Sequence, residues 1–537
     1  MERTRAHFLL NGHQGGPVKP SKETGSFFII DSRVKALQKS GSLTFCASHK
    51  EVMMERFTKI PTYKSSRTST DYTGRPTILY QHTAMSQQLL EQFLRKFPLQ
   101  LQYCGCLKVD NLPDPTLRNE ILPMFALDRW VKGHDQHTKD IYARMVPALR
   151  LASLLISEDC VLGWFHHLTL GRLREDRSSK PTRLVVTSTD AENSRSDQEE
   201  TRDNLRRLGE IVSLMFVPSR HHDNKIVFGV TYTKQRMPWF SQYHPNDWPP
   251  VPSKYKSGQY RHFGQPAIAL TFDFQRFFLY QLPNASKEEA YRTMFLFAET
   301  LVHEVAHAYW LWIAQYTHRM KCLDEPLWDS KEKDAELGFS WEANVLGRVI
   351  NPVWPGVGSF AKVVMLCAVR SAEYAHDRDR QRALKDVCLH QKGLKLVRIY
   401  DWFPHGTRVH PVEFRGDAWY CGDGSPADVN HVSVIEAIPL KWIVDWFSEA
   451  EWSERRRVWR QRGTYTPPPL VKSFWLIYER DVDGYDSLHM PEDQQLEWYQ
   501  GQPRHGDLTN SRDQQVHGNQ NDYYYPGGRD YDYGGYY

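Results

Sequence analysis

Apolar positions change period twice along the chain. Between 84 and 160 they recur at helical spacing: Leu89, Leu90, Phe93 and Leu94 share one face, and Met145–Ile156 forms a second apolar helix. From 161 to 280 short β-rich runs take over. Leu184–Thr187, Ile211–Val217, Ile226–Thr233 and Ala267–Phe274 are separated by polar or Pro/Gly breaks, and the charged insert Asp190–Arg206 reads as an exposed loop or helix. Helical spacing then returns. Ser286 with Glu289 three residues on makes a capping box, which predicts a long helix through about Tyr316. Asp329 with Glu332 predicts another, running to about Ile350 and stopped by Pro352. A further helix is expected over Ser359–Arg378, and strands with a Trp-rich helix (Trp442, Trp446, Trp452, Trp459) over 395–480. The fold class expected is α+β. It is divided into a loosely ordered basic leader (1–75), a helical region (76–160), a strand-then-helix core (161–395), a mixed Trp-rich region (396–480) and a disordered, acidic, Tyr-rich tail (481–537).

Composition narrows the class. The 537 residues include 68 Lys and Arg against 64 Asp and Glu, a net charge of +4, and 13% aromatics, which excludes a mostly disordered chain. Residues 481–537 hold eleven acids and three bases, so the remainder is mildly basic, too weakly for a dedicated nucleic-acid binder. The basic opening is expected to be a solvated arm. The N-terminus has no apolar run of a signal peptide's length and no apolar stretch has that of a membrane span, so an intracellular location, cytoplasmic or nuclear, with no membrane partner is expected. The eight cysteines contain no CxxC pair, and Cys104-Gly105-Cys106 reads as two free thiols.

The segment that carries chemistry is Thr300-Leu-Val-His-Glu-Val-Ala-His-Ala-Tyr309. Residues four apart stack on one helix face, so His303 and His307 can share one Zn²⁺ at about 2.0–2.1 Å each. Glu304 can reach a metal-bound water without occupying the metal, as a general base. No charged residue stands at Leu301, Val302, Val305, Ala306, Ala308 or Tyr309, so the helix is buried around its histidines. Two core histidines with a paired Glu are the plain alternative.

With strands preceding it, this motif resembles the zincin superfamily of HExxH metallopeptidases. The metzincin branch is excluded, because Trp310 and Ile313 stand where it needs Gly and a third His. The gluzincin branch takes a Glu from the next helix. There Glu336-Leu-Gly-Phe-Ser-Trp-Glu342 is similar to the Glu-Gly-aromatic stretch of gluzincin aminopeptidases, displaced by one residue in the Gly and the later Glu, and to an ELGxxWE run that large fungal proteins pair with HExxH. The resemblance spans about 267–350. It implies a zincin-like core, a small mixed sheet packed on the HExxH helix and a backing helix, and it favours Glu336 as third ligand. Periodicity alone favours Glu342 or Glu332, which lie in or near the apolar face of that helix, and Glu325 before Pro326 is a weaker rival.

For the oxyanion donor, Tyr374 and His376 stand level, with a surface role as the plain reading of both. His166-His167 and His221-His222 are adjacent pairs whose rings point apart, and the arginines near 455–462 spread round a helix as a solvated face. The expected function is zinc-dependent hydrolysis of a peptide or protein substrate. The alternatives are a non-catalytic zincin fold that uses its metal for stability or partner binding, and a DNA-associated protease like the SprT-type zincins.

Overall fold

The computed structural model describes residues 97–399 and 430–491, except for 177–181, 194, 219, 223–224, 234–242, 257–264, 319–323, 331, 333–334, 354–362, 375, 383–395 and 481–485. The basic leader, the helical spacing at Leu89–Leu94 and nearly all of the Tyr-rich tail lie outside the described residues.

The fold is mixed α+β, with helices and small sheets. Helix α1 (Gln136–Ser157) contains the expected apolar run Met145–Ile156 and carries Pro147 inside it. Helix α2 (Gly163–Leu170) leads into a hairpin of β1 (Arg172–Asp176) and β2 (Arg183–Thr187). The charged insert is helix α3 (Arg195–Ile211), so β3 (Ser213–Val217) starts two residues later than expected. Strands β4 (Gly229–Thr233) and β5 (Pro266–Thr271) complete a three-stranded mixed sheet in the order β3-β5-β4. Here β3 runs parallel to β5, and β4 antiparallel. Phe274, read as the end of a strand, belongs instead to a short helix at Phe272–Arg276, where the Thr271 side chain caps the Asp273 N–H.

Helix α4 (Lys287–Tyr316) is the centre of the molecule. Its start is the reciprocal Ser286/Glu289 box read from the sequence: the Glu289 N–H donates to Ser286 and the Ser286 N–H to the Glu289 carboxylate. Every residue from Tyr291 to Trp310 is buried. A helix with no polar face has to be wrapped on all sides, and α1, β4 and β5 pack against it. So do α5 (Leu337–Val345) and, from near the C-terminus, α6 (Leu440–Trp446). One apolar core runs from Leu112 to Trp452, so α4 shares it with α1 and with α7 (Glu449–Arg462), whose Trp452 is fully buried. Among the described residues, no helix is long and apolar enough to cross a membrane.

Two expectations after α4 are corrected. The helix predicted from Asp329 to Ile350 is only nine residues long, Leu337–Val345, with Glu336 as its N-cap. No helix starts at Asp329. Glu332 accepts from the Trp328 N–H at 2.7 Å and from the Asp329 N–H in a turn, and Gly347, at φ +75°, ends the helix in a conformation that side chains resist. Within the helix predicted over 359–378, Met365–Tyr374 is a strand. β6 (Ile350–Val353) and β7 (Met365–Tyr374) belong to a six-stranded antiparallel sheet in the order β8-β11-β10-β9-β7-β6, where β8 is Leu396–Ile399, β9 is Asn430–Ala437, β10 is Phe474–Arg480 and β11 is Asp486–Pro491. β7 pairs on both edges, with β6 and β9. A short apolar run fits either period, and pairing with a segment about sixty residues away decided it.

Candidate metal centre

His303 and His307 stand one turn apart on α4, and their Nε2 atoms lie 3.2 Å from each other. Glu336 meets them from the start of α5. Its Oε1 is 2.9 Å from His307 Nε2 and 3.3 Å from His303 Nε2. As the N-cap, Glu336 spends Oε2 on the Phe339 N–H at 2.5 Å, which aims Oε1 at the imidazoles. All three side chains are buried.

The outer nitrogens fix the chemistry. His303 Nδ1 donates to Glu342 Oε1 at 2.7 Å, and His307 Nδ1 donates to Glu325 Oε1 at 2.5 Å. Both carboxylates are themselves held by backbone, Glu342 by the Ile350 N–H at 2.9 Å and Glu325 by the Leu337 N–H at 3.0 Å. With the Nδ1 protons committed outwards, both Nε2 atoms face the buried Glu336 Oε1, and without a metal it is protons on those nitrogens that pair with it. With both Nε2 atoms unprotonated, three acceptors within 3.3 Å of one another would repel unless a cation joined them. Ligands at 2.0–2.1 Å in tetrahedral array lie about 3.3 Å apart, so the spacing fits a metal. Each histidine also has the outward carboxylate that fixes a metal ligand's tautomer.

Backbone space is shaped to the same end. A Cβ on Gly338 would lie 2.3 Å from His303 Nε2, so any side chain there would displace the ligand. A Cβ on Gly229 of β4 would lie 2.7 Å from Glu304 Cγ. Two residues further along β4, Thr231 Oγ1 donates to Glu304 Oε2 at 2.7 Å, so the sheet edge positions the carboxylate that follows the first histidine.

The electrostatics show what holds the cluster when only protons are present. Burial opposes charge on both imidazoles. Glu336 and Glu342 nevertheless raise His303 well above the usual histidine range, and Glu325 with Glu336 raises His307 to about 10. Burial alone would raise Glu336, but the two histidines hold it well below the usual carboxylate range. Glu304 is raised by burial, with His307 and His303 acting against the shift. Glu299, one turn before His303, is raised well above the carboxylate range by burial and then by the charge of Glu342. Protons thus stand in for a cation in a pocket with more acids than bases.

Every residue singled out for the metal is therefore accounted for. His303, His307 and Glu336 converge and can hold a metal ion. Glu342 and Glu325, the rival ligands, bond the outer nitrogens of the two histidines, and Glu342 with Glu299 and His303 forms a second group that could hold a metal ion. Glu332 is bound in the 328–332 turn, where burial raises its carboxyl to about 7. His376 is exposed in a bend after β7, and Tyr374 ends that strand with its side chain outside the described residues. His167 is occupied elsewhere, between Glu192 and the Trp328 carbonyl. The sequence shows Gly338 only as part of the run from Glu336 to Glu342, and it gives no role to Glu299, Thr231 or Gly229. Of these three, only Glu299 leaves a signal, an acid one turn before His303 in an apolar helix. Set against protein-family models, curated proteins and solved structures, the chain matches none of them.

Proposed function

We propose that this protein is a zinc-dependent hydrolase, a metallopeptidase of gluzincin type whose substrate is a peptide or protein. The observation that carries the reading is the convergence of His303 Nε2, His307 Nε2 and the buried Glu336 Oε1, with Glu304 held beside them by Thr231. A set of two imidazoles and one carboxylate suits zinc. Bound there, the ion would polarise the scissile carbonyl and make water acidic enough to attack at neutral pH.

The chain's own groups do the rest. Glu304 accepts the proton of the attacking water and returns it to the departing amine. Its burial favours the protonated form midway through that exchange, and Thr231 keeps Oε2 oriented while Oε1 works. Glu342 and Glu325 hold the imidazoles in the tautomer that leaves Nε2 unprotonated.

Glu304→Gln keeps the shape and removes the base. It is expected to retain zinc and to lose peptide hydrolysis by at least about a hundredfold. Hydrolysis at the wild-type rate in that variant would overturn the mechanism. A second reading, a structural metal, draws on burial: His303, Glu304, His307 and Glu336 are only 2, 3, 6 and 2% exposed. It predicts a melting temperature that falls on chelation with no turnover of any member of a broad peptide library.

A further inference from the structure

A cavity of about 310 Å³ lies beside the metal centre's supporting elements, between α2, the turn at Trp328 and the end of α5, where Asn344 and Val345 line it. That volume is at the small end of ligand pockets, the size of one side chain or a small molecule. Its walls combine aromatic rings with acids: Trp164, Trp328 and Tyr465 with Glu192 and Asp329. Trp164 and Trp328 lie parallel within 2°, their ring centres 6.5 Å apart. Among the described residues no Lys or Arg lines the space. The one ionisable nitrogen base there, His167, is engaged on both sides, by Glu192 at 3.0 Å and the Trp328 carbonyl at 3.0 Å. An anion would find no Lys or Arg in such a wall.

A cation would find several. Ring faces attract positive charge, and more strongly where water is scarce. The directed acceptors are largely spent: Glu192 already takes the Thr189 N–H and His167, and Asp329 takes the Ser330 hydroxyl. That combination favours a charge spread over alkyl groups rather than a guanidinium needing paired hydrogen bonds. We propose that the aromatic, acid-walled cavity between α2, Trp328 and the end of α5 is a binding site for an alkylated ammonium group. The inference does not rest on the hydrolase reading, since no metal ligand lines the cavity.

The test is calorimetric titration of the full chain with (4-hydroxybutyl)trimethylammonium, with its neutral isostere 5,5-dimethylhexan-1-ol, and with butyrate. The ammonium should bind at least about fivefold more tightly than the neutral isostere, and butyrate should not bind. Trp328→Ala should weaken the ammonium by a similar factor, and Trp328→Phe should restore most of it by keeping a ring face. Asp329→Asn, which preserves shape, should weaken it without changing the melting temperature. Capped trimethyllysine separates the sources: if it binds more tightly than the free amine the ligand is a peptide side chain, and the reverse order indicates a small molecule. Equal binding of ammonium and isostere, or no heat from the ammonium up to millimolar concentration, would overturn the proposal.

Discussion

His303 and His307 are each pinned from behind, and that pinning makes an acid-rich pocket into a candidate ligand set. Glu342 and Glu325 take the Nδ1 side of each ring, which turns Nε2 toward Glu336. Glu342→Gln keeps the shape but can offer its amide NH₂ to Nδ1, which would place the proton on Nε2. Metal affinity, read by competition with a chelator, should fall about 10–100-fold, the usual loss for an outer partner of a metal ligand. The metal-free protein should also be sensitive to alkali. His307 is raised in the folded state, from 6.5 to about 10, so its contribution to stability is fully present below 6.5 and is lost as pH rises through about 10. The melting temperature of chelated protein should therefore decline across that window, and saturating zinc should flatten the decline. A chelated protein equally stable at both ends would contradict the proton-filled site. The pair of histidines was legible in the sequence because helical spacing is local. The division of labour among the acids was not, since Glu336, Glu342 and Glu325 differ only in where the chain between 325 and 350 turns.

At the scale of elements, legibility followed the range of the deciding interaction. The start of α4 is set by Ser286 and Glu289, three residues apart, and the sequence placed it correctly. Ser286→Ala should lower stability by about 1 kcal/mol, measured by denaturant unfolding, while leaving metal content unchanged. A neutral result would mean that wrapping of α4 by its neighbours, and not the cap, fixes that end. α5 was overextended because Ala335, Phe339, Leu346 and Val349 continue a helical period on paper, while Glu336 caps from outside and Gly347 breaks the run. β7 was misread as a helix because Val363–Val369 is apolar at every position but carries no sign of β9, its partner at Asn430–Ala437. The hairpin β1–β2 was only half anticipated, yet it matters to the site. Leu327 exchanges backbone hydrogen bonds with Leu184 and Val186 at 2.8 and 2.9 Å, which secures the segment carrying Glu325.

For the molecule as a whole, the organising fact is a helix buried on all sides that carries two histidines and two acids within one apolar core. Ionisable groups in such a place raise the free energy of the folded state unless each is matched, and removing one partner costs more than the pair contributes. α1, β4, β5, α5 and α6 all close on that helix, so matching the charges of the site is a condition for the fold and not only for chemistry. The most direct test of the account is the metal content of purified protein, measured by elemental analysis on wild type, His303→Ala and Glu336→Ala after zinc loading and desalting. One zinc per chain in the wild type, and none retained in either variant, is the predicted result. A wild type that holds no metal, or a Glu336→Ala variant that keeps it at full occupancy, would contradict the central claim.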